Sequence, residues 1–287
     1  MANPLYGQNK QDNYLEGDPG KVKSKTVSVT DSSGNLGTKG LILPGSAYTD
    51  GNTYADPDPY VSGTTQLFPL GSKFVEGRNV YRYCGISSAG AVIAGKLIQQ
   101  QVGTGADHEA MTPTEATAIG STSISIETDG TDLTADGYNG GYLWISAGTG
   151  IGQSWEIKDT PAHDHSDDPT AVIELYGKVT VALATGDSKI DMVKNPFGDG
   201  VVAPVAETGA VIGATVVGMA ASSFGWLKIN GPLAMITQGT CVIGNTAFRA
   251  ITTTAGAVSP GTDNVSYPVG QVMAGPVTQP MVWLNIG

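Results

Sequence analysis

The stretch SSFGWLKINGP, residues 222–232, sets Phe224 and Trp226 around Gly225 and closes on Gly231 and Pro232. Large aromatics in a short run bounded by glycine and proline read as a β-strand ending in a tight turn. The same texture recurs on both sides. FPLGSKFVEGRNVYRYCGI (68–86) alternates around a turn at EGRN, and STSISIET (121–128) alternates over Ser123–Thr128. GGYLWISAG and QSWEIKD are joined by the glycine turn GTGIG, and PTAVIELYGKVTVALATGDSKIDMVKN (169–195) continues the pattern with breaks at Gly177 and Gly186. After Val201 come AVIGATVVGMA, LAMITQG, CVIGN, FRAITTT, YPVGQVM and MVWLNIG, each read as strand-forming.

Short strands with glycine turns every 8–12 residues indicate an all-β fold, a glycine-rich β-barrel or sandwich body. No βαβ alternation is visible, which argues against a parallel doubly wound sheet. Two segments have helical content: AGAVIAGKLIQQQ (89–101), and TPTEATAI (112–119) with Thr112 and Glu115 in capping-box spacing. Residues 1–65 differ from the rest, being polar and rich in turn pairs such as GDPG and DPDP, with one strand-like segment (KTVSVT, 25–30) and one apolar run (GLILPG). The expected organisation is an extended N-terminal arm over 1–65, a β domain with inserted loops over 66–190, and a C-terminal barrel-like domain over 191–287.

Forty glycines and sixteen prolines show no collagen period, and 40% hydrophobic content provides for a core. Charged residues are 14% of the chain, against about 25% in ordinary soluble proteins. Only Glu207, Lys228, Arg249 and Asp263 carry charge after position 200. A surface so poor in charge does little to oppose association, and is most simply reconciled with partners covering it. The net charge of −11 and the scattered basic residues argue against nucleic acid as a partner, because phosphate neutralisation needs clustered Lys and Arg. The one small cluster, Lys21, Lys23 and Lys25, lies in the arm and suits docking on an acidic partner or plain solvation. Cys84 and Cys241 sit in apolar strand contexts and read as buried free thiols. The start MANPLYGQNKQDNYL lacks the features of a signal peptide, and no apolar run has membrane-spanning length, so a soluble, cytoplasmically made protein is expected.

Three motifs invite a chemical reading. GTGIGQS (148–154) has Gln153 where a phosphate-binding loop needs Lys, and a strand follows instead of a helix. GISSAG (85–90) has Ala89 where a nucleophile elbow needs Gly. HDHSDD (163–168) puts His163 and His165 on one face if extended, but an iron-binding triad lacks its later histidine, the remaining one being His108 upstream. Asp164, Asp167 and Asp168 are candidate Ca²⁺ ligands, the alternative being a solvated acidic loop. No nucleophile–base pair is visible, so no enzyme, catalytic residue or cofactor is expected. Trp226, Phe224, Trp144, Trp155 and Trp283 are the expected anchors of core or interface. Trp226 stands out because its flanking glycines let another strand come close. Tyr81, Tyr83, Tyr138 and Tyr142 are the candidates for stacking on sugars, should the chain be a carbohydrate-binding or adhesive module.

Four blocks carry a family resemblance: LFPLGSKFVEGRNVYRYCGISSAGAVIAGKLIQ (67–99), GGYLWISAGTGIGQSWEIK (140–158), SSFGWLKINGPLAMI (222–236) and TAGAVSPGTDNVSYPVGQVM (254–273). In order, they resemble the capsid cement, or head decoration, proteins of tailed bacteriophages of marine type, over roughly residues 66–287. The resemblance implies a noncatalytic component of the virion exterior, assembled in the host cytoplasm. It implies a homotrimer or similar cluster that bridges major capsid protein subunits and stabilises the head. The alternative is an adhesive piece of a tail or spike.

Overall fold

The computed structural model describes residues 29–30, 36–37, 39–42, 56–101, 108–128, 130–167, 170–260, 266–275 and 279–286. Among them the fold is all-β, as the strand-and-glycine pattern requires, and no helix is long and apolar enough to cross a membrane. They divide into two compact units. One comprises the described residues up to Gln100 together with those from Asp199 onward, and the other comprises 101–198.

The first unit is organised on the strand Phe224–Ala234, the longest among the described residues. Its first half pairs antiparallel with Asn79–Gly85 along one edge, Trp226 facing Tyr83, and with Val211–Thr215 along the other. Its second half pairs with Met281–Asn285, which in turn pairs with Pro268–Ala274. Leu97–Gln99 and Thr246–Arg249 extend the sheet outward. Trp226 is 2% exposed and packs among Phe68, Phe74 and Tyr83, with ring centroids at 5.1, 5.6 and 5.1 Å. It is thus a core anchor of its own chain. Tilted and edge-on contacts of this kind add about 0.5–1.5 kcal/mol per pair beyond simple burial. Gly231 follows in the left-handed region (φ 106°), and a Cβ there would lie 2.6 Å from Asn79 Oδ1. The glycine therefore does allow close approach, but of a neighbouring segment of the same chain. A second cluster, including Leu97, Val258, Val269, Val272, Val282 and Leu284, fills the other part of the unit.

The second unit is one antiparallel sheet. Its order is Lys189–Val193, Tyr142–Ala147, Ser154–Asp159, Thr170–Leu175, Ser123–Glu127 and Thr112–Pro113. Strict alternation puts one face inside. Ile124 and Ile126, Leu143 and Ile145, Trp155 and Ile157, Ile173 and Leu175, and Ile190 and Met192 form a single core. The Trp155 indole N–H donates to Lys178 O at 3.1 Å, which satisfies its polar atom.

Several expectations change. The boundary at 190/191 cuts the strand Lys189–Val193, and 66–190 cannot be separate from 191–287, because 79–85 pairs with 224–230. The second unit is instead an insertion in the first. The arm reading of 1–65 fails over part of its length. Lys39–Ile42 pairs with Lys73–Glu76, Leu41 packs beside the Trp226 cluster, and Gly63 bridges Phe224. Lys21, Lys23 and Lys25 lie outside the described residues. Neither helical segment is a helix. The first contains a bridge at Val92 and the strand Leu97–Gln99, where the β-branched residues pair across the sheet. In the second, Pro113 sits on a strand, and Glu115 accepts from the Ser125 hydroxyl at 3.0 Å instead of capping. CVIGN is a turn and not a strand.

Trp226→Ala should destabilise the first unit by about 3–5 kcal/mol, and Ile173→Ala the second by about 2–5 kcal/mol. Native-state hydrogen exchange, read separately on amides of the two units, measures each loss.

Candidate functional site

Chemistry was expected first at HDHSDD. The structure puts His163 and His165 on either side of one hydroxyl, Thr128 Oγ1, with His163 Nε2 at 3.2 Å and His165 Nδ1 at 3.0 Å. Asp164 is engaged by the next residue but one. Its carboxylate accepts from the Ser166 hydroxyl at 2.7 Å and amide at 2.9 Å, which hold its pKa below the usual range. Asp168 lies outside the described residues, among which no three His, Cys, Asp or Glu side chains converge in a metal-binding group. His108 is elsewhere, its Nδ1 against the Tyr138 hydroxyl. Both cysteines are free and buried, and burial raises their thiol pKa values. Such thiols behave as small core residues. Tyr81, Tyr83 and Tyr138 are buried, so they cannot stack on a sugar; of the four candidates only Tyr142 is exposed.

What the sequence leaves concealed is the fate of its last charges. Lys228 is 4% exposed and Arg249 is 2% exposed. The Lys228 ammonium donates to Asn79 Oδ1 at 3.1 Å and Pro232 O at 2.9 Å, and lies 5.2 Å from the Tyr81 ring centroid. Burial lowers its pKa. The Arg249 guanidinium donates to the carbonyls of Pro204, Ala206 and Gly209, tying down the 204–209 loop. Both cations are thus spent on the interior. After position 200, Glu207 is the one exposed charged side chain among the described residues. Apolar side chains occupy the neutral surface. The turn bearing the exposed Val242 and Ile243 is held to the 268–274 strand by Gly244 N–H to Val272 O and Val272 N–H to Asn245 O, both 2.9 Å. Met273 on that strand and Met281 on its neighbour are also exposed. Methionine adapts its shape to a partner, which suits a contact surface.

The second unit carries a matching feature at one end. GTGIGQS is a turn in which Gln153 is a clamp. Its Oε1 accepts from the Thr180 amide and hydroxyl (2.8 Å each) and the Val181 amide (3.0 Å), while Nε2 donates to Val181 O at 3.0 Å. On the other flank Asp187 accepts from the Thr149 amide at 2.7 Å and hydroxyl at 2.6 Å, which lowers its pKa. Thr117 bridges Leu183, and Gly120 N–H donates to Val179 O at 2.7 Å, so a third turn joins the other two. Each turn bears an exposed β-branched residue: Ile119 at 68%, Ile151 at 67% and Val181 at 48%. Apolar side chains exposed on turns locked by side-chain hydrogen bonds are presented to a partner without the entropy cost of ordering a loose loop. Composition gave no sign of this, because the three residues are far apart in sequence and each looks like a strand residue.

No family model, curated protein or solved structure matches the chain.

Asp187 has a depressed folded-state pKa, so the stability it adds is present above the ordinary carboxylate range and is lost as the pH falls through the lowered value. The Thr149 amide chemical shift, followed by NMR on acidification, should titrate with a midpoint below that of a free aspartate. Asp187→Asn should abolish the titration.

Proposed function

We propose that this chain is a noncatalytic virion structural protein that decorates and cements the outside of a capsid. In this reading it acts as a homotrimer that bridges neighbouring major capsid protein subunits and stabilises the head. One observation carries the reading: with Lys228 and Arg249 buried, Glu207 is the one exposed charged side chain among the described residues after position 200. A neutral surface with exposed Met, Val and Ile does little to keep copies apart and fits a protein whose working state is an assembly. The fixed apolar tip at Ile119, Ile151 and Val181 supplies a second contact region. Several modest contacts borne by one symmetric cluster act at high effective concentration, so the cluster can hold a shell firmly without any one strong contact. The four sequence blocks that resemble head decoration proteins support the same reading.

The mechanism needs no reaction. A protein that binds only the assembled shell stabilises it by mass action. Shell subunits that would separate under internal pressure must first release the bridging cluster.

Purified chain should co-sediment saturably with capsid shells, and light scattering should give the mass of a trimer. Ile119→Asp combined with Ile151→Asp should weaken shell retention at least ~10-fold with circular dichroism unchanged, because burying an unpaired carboxylate at a contact is costly. Removing residues 1–28, which spares the strand at 39–42, tests the basic cluster; reduced retention is expected. Absence of co-sedimentation, or a stable monomer indifferent to the tip substitutions, refutes the proposal.

A further inference from the structure

On the outward face of the first unit lies a groove of about 620 Å³. It lies where the 224–234, 281–285 and 268–274 strands run side by side. The burial pattern of Met281–Asn285 turns Val282 and Leu284 inward and leaves Met281, Trp283 and Asn285 outward. Trp283 stands across from Gln271 on one neighbour and Pro232 on the other, and Asn285 stands across from Asn230. Tyr267, 48% exposed, closes one side. Gly270 lines the groove with backbone alone. A Cβ there would lie 2.0 Å from the Trp283 carbonyl oxygen, so the two strands approach closely at this point.

The chemistry of this lining is specific. Among the described residues, two aromatic rings, three amides and no charged group line the groove. The Asn230 amide N–H donates to Asn285 Oδ1 at 3.3 Å, and the Gln271 amide N–H donates to Gly244 O at 3.0 Å. Each carboxamide has two donor hydrogens and an acceptor oxygen with two lone pairs, so these bonds fix the amides in place and leave hydrogen-bonding capacity over. Ligand sites commonly take this form, a concave aromatic surface with a few fixed polar groups. A phosphate or sulfate would need a cation, and none of the described residues supplies one to the groove. A purely aliphatic ligand would leave the amides unsatisfied. A pyranose satisfies both requirements. Its C–H face lies on an aromatic ring, and its hydroxyls both donate and accept, as the amides do.

We infer that this groove is a binding site for a neutral saccharide, with Trp283 as the stacking platform and Asn285 and Gln271 as the hydroxyl-reading amides. The function is additional to shell binding and does not rest on it.

The test uses the full chain, without capsid, titrated with N-acetylglucosamine tetrasaccharide, cellotetraose and the anionic galacturonic acid tetrasaccharide. Tryptophan fluorescence and saturation-transfer NMR are the readouts. At least one neutral tetrasaccharide should bind with a Kd of about 1 mM or tighter, and the anionic one should bind at least ~10-fold more weakly. Trp283→Ala and Asn285→Ala should each weaken binding at least ~10-fold, while Tyr176→Ala, an exposed tyrosine of the other unit, should leave it unchanged. If Trp283→Ala does not fold, Asn285→Ala and the NMR transfer on the unaltered chain decide the matter. No response to either neutral sugar up to about 10 mM, or equal binding by the Asn285→Ala variant, overturns the assignment. So does a groove covered by a second copy, seen as self-association that Trp283→Ala disrupts with no sugar-dependent signal in the unaltered chain.

Discussion

The packing of Trp226 depends on pairing between segments far apart in the chain. The 224–234 strand lies between 79–85 and 211–215 over its first half and is joined by 281–285 over its second. The aromatic cluster around Trp226 forms only when these segments are in register, with Phe68, Phe74 and Tyr83 arriving from the other end of the sequence. Backbone pairing and side-chain packing are therefore one cooperative event, and the loop-closure entropy must be met before either is gained. The second unit, spanning 101–198, is inserted between the two halves of the first and keeps its own one-sided core.

The same tertiary event sets the electrostatics. Lys228 sits on the central strand, and pairing of that strand brings its ammonium to the Asn79 carboxamide and the Pro232 carbonyl. Arg249 is likewise spent on three loop carbonyls. A buried cation costs desolvation energy unless hydrogen bonds replace its water; these bonds offset that cost, although Arg249 Nε is buried without a partner. The consequence for function is external. Drawing both cations inward leaves Glu207 as the one exposed charged side chain among the described residues after position 200. Contact with a shell and a groove suited to sugars are both compatible with such a surface, because neither asks for charge.

The strand texture was legible from the residues themselves. Alternation at Ile124 and Ile126, Leu143 and Ile145, and Trp155 and Ile157 maps directly onto one buried face, since side chains on a strand alternate regardless of what covers them. The EGRN turn and the GTGIG turn fall where glycine marks them. Gln153, noticed in the sequence only as a residue that disqualifies a phosphate loop, is a clamp between two turns. The tyrosines were misread for the same reason that the domain boundary was. Exposure and unit membership depend on which distant strand lies alongside, and Tyr81, Tyr83 and Tyr138 are covered by such neighbours.

By itself, then, the amino-acid sequence determined an all-β protein with glycine-marked turns, two free cysteines and a charge-poor C-terminal part, because strand periodicity, turn chemistry and composition are local properties. Only the tertiary structure decided that the units divide at 100 and 198, that Lys228 and Arg249 are interior, that Ile119, Ile151 and Val181 sit on converging turns, and that Trp283 borders a groove. Each of these depends on strands and loops that are not adjacent in sequence, or on turns brought together by folding. The register that selects those neighbours is set by the summed packing of whole faces, which no short stretch of sequence contains.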